Sequence, residues 1–152
     1  MKAKHYLWQI RKLDRMIENK LEEIEFNKSL AESIIMSNEE ERVQASGLKD
    51  RMAEIVCKYL ALEAEMNDAI DEMIDTRREI ISTIELLNTD EYDLLYKMYV
   101  GKRNVKRDET IEIIYMTTDE VADFNKKSKR WAASVHGRAL VNLQKILDER
   151  EK

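Results

Sequence analysis

Apolar residues recur at steps of three, four or seven through the first 88 residues, and this spacing constrains the fold more than any other feature of the chain. It places apolar side chains on one side of an α-helix, as in helices that pack against each other in coiled coils. Proline is absent and only three glycines occur among the 152 residues, so the composition favours long, uninterrupted helices. The first stripe comprises Leu7, Ile10, Ile17, Leu21, Ile24, Ala31 and Ile35; the second comprises Met52, Ile55, Tyr59, Leu62, Met66, Ala69, Met73, Ile80 and Leu87.

The two stripes predict an antiparallel helical hairpin, a coiled-coil-like arm over residues 1–88 that reverses near residues 37–50. The reversal segment is polar and contains Ser46 and Gly47, which favour a turn. Further apolar residues widen the second stripe, so it needs more than one neighbour to cover it. The first helix covers part, and a second copy of the chain or the C-terminal domain is expected to cover the rest. The widening residues are Val56, Ile70, Ile74, Ile81 and Ile84.

Charge is distributed unevenly along the chain, whose formal net charge is −5. Residues 1–88 contain 13 cations and 19 anions, whereas residues 89–152 contain 13 cations and 12 anions. Within the second part, residues 125–147 hold six cations and no carboxylate. This reversal of sign predicts that the two parts have different roles, and a locally basic helix indicates a nucleic-acid partner.

Two short helices are predicted in the basic part, and together they form a helix-turn-helix. Thr117 with Glu120 has the form of a capping box, which begins the first helix, and Ser128 is a suitable cap for the second. In the second helix one side is apolar and faces the core: Ala132, Val135, Ala139, Leu143 and Ile146. Another side is basic or small, as expected for a helix of about residues 128–140 that enters the DNA major groove. The predicted DNA-binding residues are Lys126, Lys127, Lys129, Arg130, Ser134 and Arg138. The alternative is a solvated basic surface on a packed helix.

The segment between these helices and the arm is less regular. Residues 91–100 have the pattern of an amphipathic helix, and Gly101 is placed to end it. Residues 102–116 form an unusual insertion with a basic start and a β-branched end, which suits either a strand or a short helix. The helix-turn-helix domain is therefore expected to span residues 89–152 and to include this insertion, and the fold class that we predict for the whole chain is all-α.

Several classes of function lack their characteristic residues in this sequence. The two histidines are far apart, and neither a glycine-rich phosphate loop nor a paired-cysteine motif occurs. We therefore predict no enzyme activity, no catalytic residues, no metal site and no cofactor. No apolar run is long enough to span a membrane. The single cysteine, Cys57, suits a reducing compartment, so a cytoplasmic location is expected.

Three stretches resemble a family of small bacteriophage and prophage proteins from Gram-positive hosts, some of them described as late transcription regulators. The stretches are residues 6–14 (YLWQIRKLD), 43–52 (VQASGLKDRM) and 134–140 (SVHGRAL). The resemblance implies a helical hairpin followed by a helix-turn-helix similar to region 4 of sigma-70 factors. Two departures from the family pattern are the insertion near residues 102–116 and Thr118, which stands where relatives have an aromatic residue.

Two functions from different classes are consistent with these patterns. The leading hypothesis is a phage transcription regulator that binds double-stranded DNA through residues 128–140 and uses its arm to form a homodimer or to dock on host RNA polymerase. The alternative is a protein-interaction module, in which the acidic arm sequesters or scaffolds a host protein and the C-terminal helices brace it without binding DNA.

Overall fold

The computed structural model describes residues 1–40 and 46–152, and these residues are mostly helical. They form five α-helices, a π-helical turn and one two-stranded antiparallel sheet. In chain order the elements are α1 (Ala3–Glu40), α2 (Ser46–Ile84), α3 (Thr89–Leu95), the π-helical turn (Tyr96–Val100), β1 (Lys102–Val105), β2 (Ile111–Ile114), α4 (Thr118–Phe124) and α5 (Lys129–Arg150). None of these helices is both long enough and apolar enough to cross a membrane.

The chain divides into two compact units, and the division differs from the predicted boundary at residue 88. Unit 1 combines Met1–Leu13 with Asp75–Lys152, and unit 2 is Asp14–Ile74. Unit 1 therefore contains the first turns of α1 and the last turns of α2 together with all the later elements. The predicted boundary at residue 88 between arm and helix-turn-helix domain remains a prediction.

Contacts within each unit are consistent with an antiparallel hairpin of α1 and α2. In unit 1 the Tyr6 hydroxyl lies 3.1 Å from the Thr83 hydroxyl, joining the start of α1 to the end of α2. In unit 2 the Glu32 carboxylate of α1 is close enough to Tyr59 of α2 to contribute to its raised pKa, whose main cause is burial of the phenol. The predicted reversal near 37–50 centres on residues 41–45, which lie outside the described residues.

The apolar stripes are buried very differently in the two units. In unit 1 the stripe residues Leu7, Ile10 and Ile80 are almost completely buried. In unit 2 only Ala31, Met66 and Ile70 are buried among the described apolar side chains, whereas Leu21 is 52% and Leu62 is 39% exposed. Much of the unit 2 stripe is therefore in contact with water, as expected for a stripe that needs more than one neighbour to cover it.

The hydrophobic core of unit 1 is built around α5. This helix contributes one buried residue per turn, and α3, α4 and the ends of α1 and α2 cover them. The buried members from α5 are Ala132, Val135, Ala139, Leu143 and Leu147. The predicted stripe is confirmed at its first four positions. At the fifth, Ile146, three residues after Leu143, is only partly buried, whereas Leu147, four residues after Leu143, is buried.

A buried polar contact also joins α3 to α5. Glu91 is 2% exposed, and its two carboxylate oxygens accept hydrogen bonds from the Asn142 side-chain amide at 3.0 and 3.2 Å. The start of α3 is capped by Asn88, whose side chain accepts from the Glu91 backbone amide at 3.0 Å. The pair gives a buried carboxylate the donors that it needs away from water.

The all-α prediction is wrong at the insertion, which forms a β-hairpin. β1 pairs with β2 in register from Lys102 opposite Ile114 to Val105 opposite Ile111. Gly101 begins the hairpin with φ of +80°, and a Cβ there would lie 2.8 Å from the Ile113 side chain and 2.9 Å from the Ile114 carbonyl oxygen. Gly101 therefore ends the π-helical turn, as its place in the sequence predicts, with a positive φ that suits glycine, and the close approach of β2 leaves no room for a side chain.

Candidate nucleic-acid interface

The α4–turn–α5 segment begins with the predicted caps. The Thr117 hydroxyl accepts from the Glu120 backbone amide at 3.3 Å and donates to the Glu120 carboxylate at 3.2 Å. The Ser128 hydroxyl accepts from the Trp131 backbone amide at 3.1 Å. Val121 and Ala122 of α4 are fully buried in the same core as Ala132 of α5. Local sequence and tertiary packing therefore agree on two helices, α4 and α5, joined by a short turn, as the predicted helix-turn-helix requires.

The turn itself contains a strained residue and a buried anchor. Lys126 has φ of +55°, a left-handed conformation that side chains disfavour. Asn125, which precedes it, accepts a hydrogen bond from Lys97 Nζ at 3.1 Å and donates one to Asp93 at 3.2 Å. Lys97 also donates to Asp93 at 2.7 Å, and its residue is only 8% exposed. This triad ties the turn to α3 and the π-helical turn, which stabilises the strained backbone.

All six predicted DNA-binding residues are exposed and lie on one continuous segment. The structure places Lys126 and Lys127 in the turn, and Lys129, Arg130, Ser134 and Arg138 on α5. Arg130, Ser134 and Arg138 follow one another at four-residue steps, so they lie on one side of the helix. Lys129 Nζ lies 3.6 Å from the Asp119 carboxylate, in a pair whose members are 73% and 61% exposed. Such an exposed pair is weak and does not prevent Lys129 from meeting another anion.

The first turn of α5 is basic, whereas the first turns of α3 and α4 are acidic. α3 begins with Asp90 and Glu91, and α4 begins with Asp119 and Glu120, as the positive end of a helix dipole favours. α5 instead has no acidic residue in its first turn, where Lys129 and Arg130 stand. Cations at this end are unfavourable by themselves, whereas a phosphate placed there would interact favourably with both the cations and the helix amides.

Gly137 lies in the middle of α5 on the exposed side, between Ser134 and Arg138. A Cβ added at this position would meet nothing within 4 Å. Close packing against another part of the described chain therefore does not explain this glycine. A helix-interior glycine costs about 1 kcal/mol relative to alanine. A ligand that approaches the helix backbone closely would explain why the position carries no side chain.

His136 of α5 and Tyr99 of the π-helical turn are a hydrogen-bonded pair of titratable groups beside this face, and the pKa values of both are shifted. The Tyr99 hydroxyl and His136 Nε2 are hydrogen-bonded at 3.1 Å, and Trp8 packs edge-on against the Tyr99 ring at 5.9 Å. Burial lowers the pKa of His136, and the nearby charge of Lys4 lowers it further. Burial raises the pKa of Tyr99, which the Arg11 charge partly opposes. Both rings therefore favour their neutral forms.

Sequence reasoning missed two cations that flank the exposed side of α5. Lys2 and Lys4 line an open depression together with Leu140, Val141 and Gln144 of α5. The first residues are held there because the Ala3 backbone amide donates to the Gln144 side-chain oxygen at 2.7 Å. The signal was present in the sequence, because residues 1–13 contain four cations and no carboxylate. The total charge of residues 1–88 does not show this basic start, because the rest of that range is strongly acidic.

Charge follows the two structural units more sharply than the predicted halves. Unit 1 contains 19 cations and 15 anions, whereas unit 2 contains 7 cations and 16 anions. The cations that surround α5 therefore belong to a unit of net positive charge, whereas unit 2 has a net negative charge. A positive unit with an exposed basic helix can attract an anionic polymer.

No family model, curated protein or solved structure matches this chain. The resemblance to phage proteins and to sigma region 4 therefore stays a prediction. Among the described residues, no group of three or more His, Cys, Asp and Glu side chains is arranged to hold a metal ion.

The His136 environment predicts a specific pH dependence of folding stability. Because the folded-state pKa of His136 lies below its unfolded value of about 6.5, the neutral ring stabilises the protein fully above about pH 6.5. This contribution is lost as the pH falls through the folded-state pKa. We expect the free energy of urea unfolding to decline less between about pH 7.5 and 5 in His136→Gln than in the wild type. The exposed His5 serves as control, and equal pH profiles for His136→Gln and His5→Gln would contradict this account.

Proposed function

We propose that this protein is a DNA-binding transcription regulator in which α5 is the recognition helix of a helix-turn-helix. The observation that carries the proposal is the exposed side of α5, where Arg130, Ser134, Gly137 and Arg138 stand together and no part of the described chain covers Gly137. Small side chains allow the helix backbone to approach base edges, and the flanking cations neutralise phosphate. The positive charge of unit 1 and the lysines beside α5 support the same partner.

In this proposal the arm joins two copies of the chain, because specific recognition of DNA requires a dimer. A single short helix makes few base contacts, so useful specificity needs a dimer with half-sites about one helical turn apart, or a multiple of that spacing. The partly uncovered stripe of unit 2, which includes Leu21 and Leu62, offers the apolar surface for such pairing. The alternative partner of the arm is host RNA polymerase, which suits the resemblance to phage transcription regulators.

The same stripe favours a second candidate function, a protein-interaction module without DNA binding. Unit 2 combines exposed apolar residues with a large excess of anions. An acidic amphipathic surface can bind a basic partner protein through its apolar stripe. DNA binding decides between the two candidates, because the interaction module needs no affinity for nucleic acid.

Replacing Arg130 and Arg138 together with alanine tests the assignment of the α5 face. If the wild type neutralises about five phosphates, log K for duplex DNA should fall against log salt with a slope of roughly −4 to −5. Each cation that contacts phosphate contributes about 0.9 to that slope. The double variant should therefore bind more weakly and show a slope smaller by up to about 2, measured by fluorescence anisotropy on random duplex DNA and on DNA from upstream of its own gene.

The matched control is Lys28→Ala with Arg51→Ala, which removes two exposed cations from unit 2. It should leave the affinity and the slope close to those of the wild type. Equal binding by Arg130→Ala/Arg138→Ala and by the wild type would show that this side of α5 is not the interface. If the wild-type protein binds neither duplex at low salt, the interaction module is the better account.

Gly137→Ala separates the stability of α5 from its access to DNA. Because nothing lies within 4 Å of the added Cβ, alanine should stabilise the free protein by up to about 1 kcal/mol. The same Cβ would occupy space between the helix and the base edges, so we expect DNA affinity to fall about tenfold, or about 1.4 kcal/mol. Thermal unfolding and anisotropy measure the two effects. A variant that is more stable and binds DNA equally well would remove the argument from close approach.

Leu62→Glu tests whether the uncovered stripe of unit 2 joins two copies of the chain. The wild type should have the mass of a dimer in light scattering, and a buried, unpaired glutamate at the interface should convert the variant to a monomer. Leu60→Glu is the control, because Leu60 is 55% exposed and lies outside the predicted stripe. A monomeric wild type, or a dimer that both variants preserve, would exclude pairing through Leu62.

A further inference from the structure

The β1–β2 hairpin is attached to the base of the proposed recognition unit at several points. Ile113 and Ile114 of β2 lie close to Gly101, which directly precedes β1. The Met116 backbone amide, which follows β2, donates a hydrogen bond to the Lys97 carbonyl oxygen at 3.0 Å. After β2, the Tyr115 ring stacks under the Arg11 guanidinium, whose carbon lies 4.0 Å from the ring centroid. The hairpin is therefore built into unit 1, and its direction follows from packed contacts.

A further contact joins the β1–β2 hairpin to the end of α4, in the helix-turn-helix segment. Lys102 Nζ at the start of β1 lies 3.9 Å from the centroid of the Phe124 ring, and Lys97 Nζ lies 4.2 Å from the same centroid. Phe124 is the last residue of α4 and is followed closely by Lys126 and Lys127 in the turn. The start of β1 thus lies beside the basic turn that leads into α5.

From this position the hairpin extends the positive charge outward. Four cations occupy residues 102–107, and all are exposed. They are Lys102, Arg103, Lys106 and Arg107. Among the described residues no carboxylate lies within 4 Å of Lys102, Arg103 or Arg107, whereas Lys106 lies 3.5 Å from Glu112. The cations are therefore collected on β1 and the first residues of the loop.

The acidic residues of the hairpin follow in the loop and in β2, and two of them have partners within it. Asp108 accepts from the Thr110 hydroxyl at 2.6 Å and from the Thr110 backbone amide at 3.2 Å, which shapes the loop. Glu112 is the partner of Lys106. Glu109 is exposed and has φ of +65°. These contacts leave the Arg103 and Arg107 charges free to meet an anionic partner.

The hairpin has no buried strand face of its own. All residues of β1 are exposed, and at its outer end the cross-strand pair Val105 and Ile111 is 66% and 61% exposed. The base of the hairpin is packed on unit 1, but its outer end is in water on both faces and by itself would be only marginally stable. A partner that covers it is therefore expected, and the four neighbouring cations indicate that this partner is negatively charged.

We infer that the β1–β2 hairpin is a second DNA-binding element, which contacts the phosphate backbone next to the groove that α5 enters. The inference rests on the proposed function, because it uses the position of the hairpin beside the turn of the same helix-turn-helix. Arg103 and Arg107 bind phosphate oxygens, and Val105 and Ile111 contact the deoxyribose carbons between them. The insertion thereby enlarges the footprint of a module whose single helix makes few contacts.

The test replaces Arg103 and Arg107 with glutamine and measures anisotropy on random-sequence duplex DNA across a salt series. Loss of two phosphate contacts should reduce the slope of log K against log salt by about 2. The decrease in affinity should be similar on all sequences, because phosphate contacts do not read bases. Lys28→Gln/Arg51→Gln is the matched control and should behave as the wild type. Unchanged thermal unfolding of both variants shows that the fold is preserved.

The variants distinguish failure of the hairpin inference from failure of the proposed function. If Arg130→Ala/Arg138→Ala weakens binding while Arg103→Gln/Arg107→Gln matches its control, the hairpin inference is overturned and the α5 assignment stands. If the wild type binds no duplex, the proposed function itself fails. A third measurement uses Val105→Ser/Ile111→Ser. A change in its molar mass by light scattering, with DNA binding intact, would show that the hairpin joins two copies of the chain and would also overturn the inference.

Discussion

Burial of one side of α5 is the constraint on which the rest of unit 1 depends. Ala132, Val135, Ala139 and Leu143 are fully buried, so the rotation of the helix about its axis is set by the core. The opposite side, with Arg130 and Arg138, must then face outward at four-residue spacing. Any ligand of α5 meets this side, and its chemistry of small and basic residues favours a polyanion whose surface the backbone approaches closely.

The polar contacts of unit 1 hold the neighbours of α5 in place. The Lys97–Asp93–Asn125 triad fixes the turn before α5, and Glu91 binds Asn142 near the middle of the helix. The hydrogen bond between Tyr99 and His136 joins the π-helical turn to α5. These groups come from α3, the π-helical turn and the turn before α5. The exposed side of α5 is therefore held in place by hydrogen bonds to its neighbours, which the DNA-binding role that we propose requires.

Much of this arrangement could be predicted from local patterns in the sequence. Thr117 and Ser128 act through neighbours within a few residues, so their roles are readable from the chain alone. The helical stripes are readable for the same reason. The hairpin at residues 102–116 was ambiguous because short β-branched runs suit a strand or a helix until their partner is known. The Lys97 triad and the position of Lys4 beside His136 depend on residues far apart in sequence, and no local pattern indicates them.

The most direct test of the central claim is to follow the backbone amide signals of the nitrogen-15-labelled protein during titration with a short duplex DNA. The account predicts that the signals of Arg130, Ser134, Gly137 and Arg138 shift together at the lowest DNA additions. Signals from α1 and α2 within unit 2 should remain unchanged. Shifts confined to unit 2, or none at any addition, would contradict a DNA-binding role for the exposed side of α5.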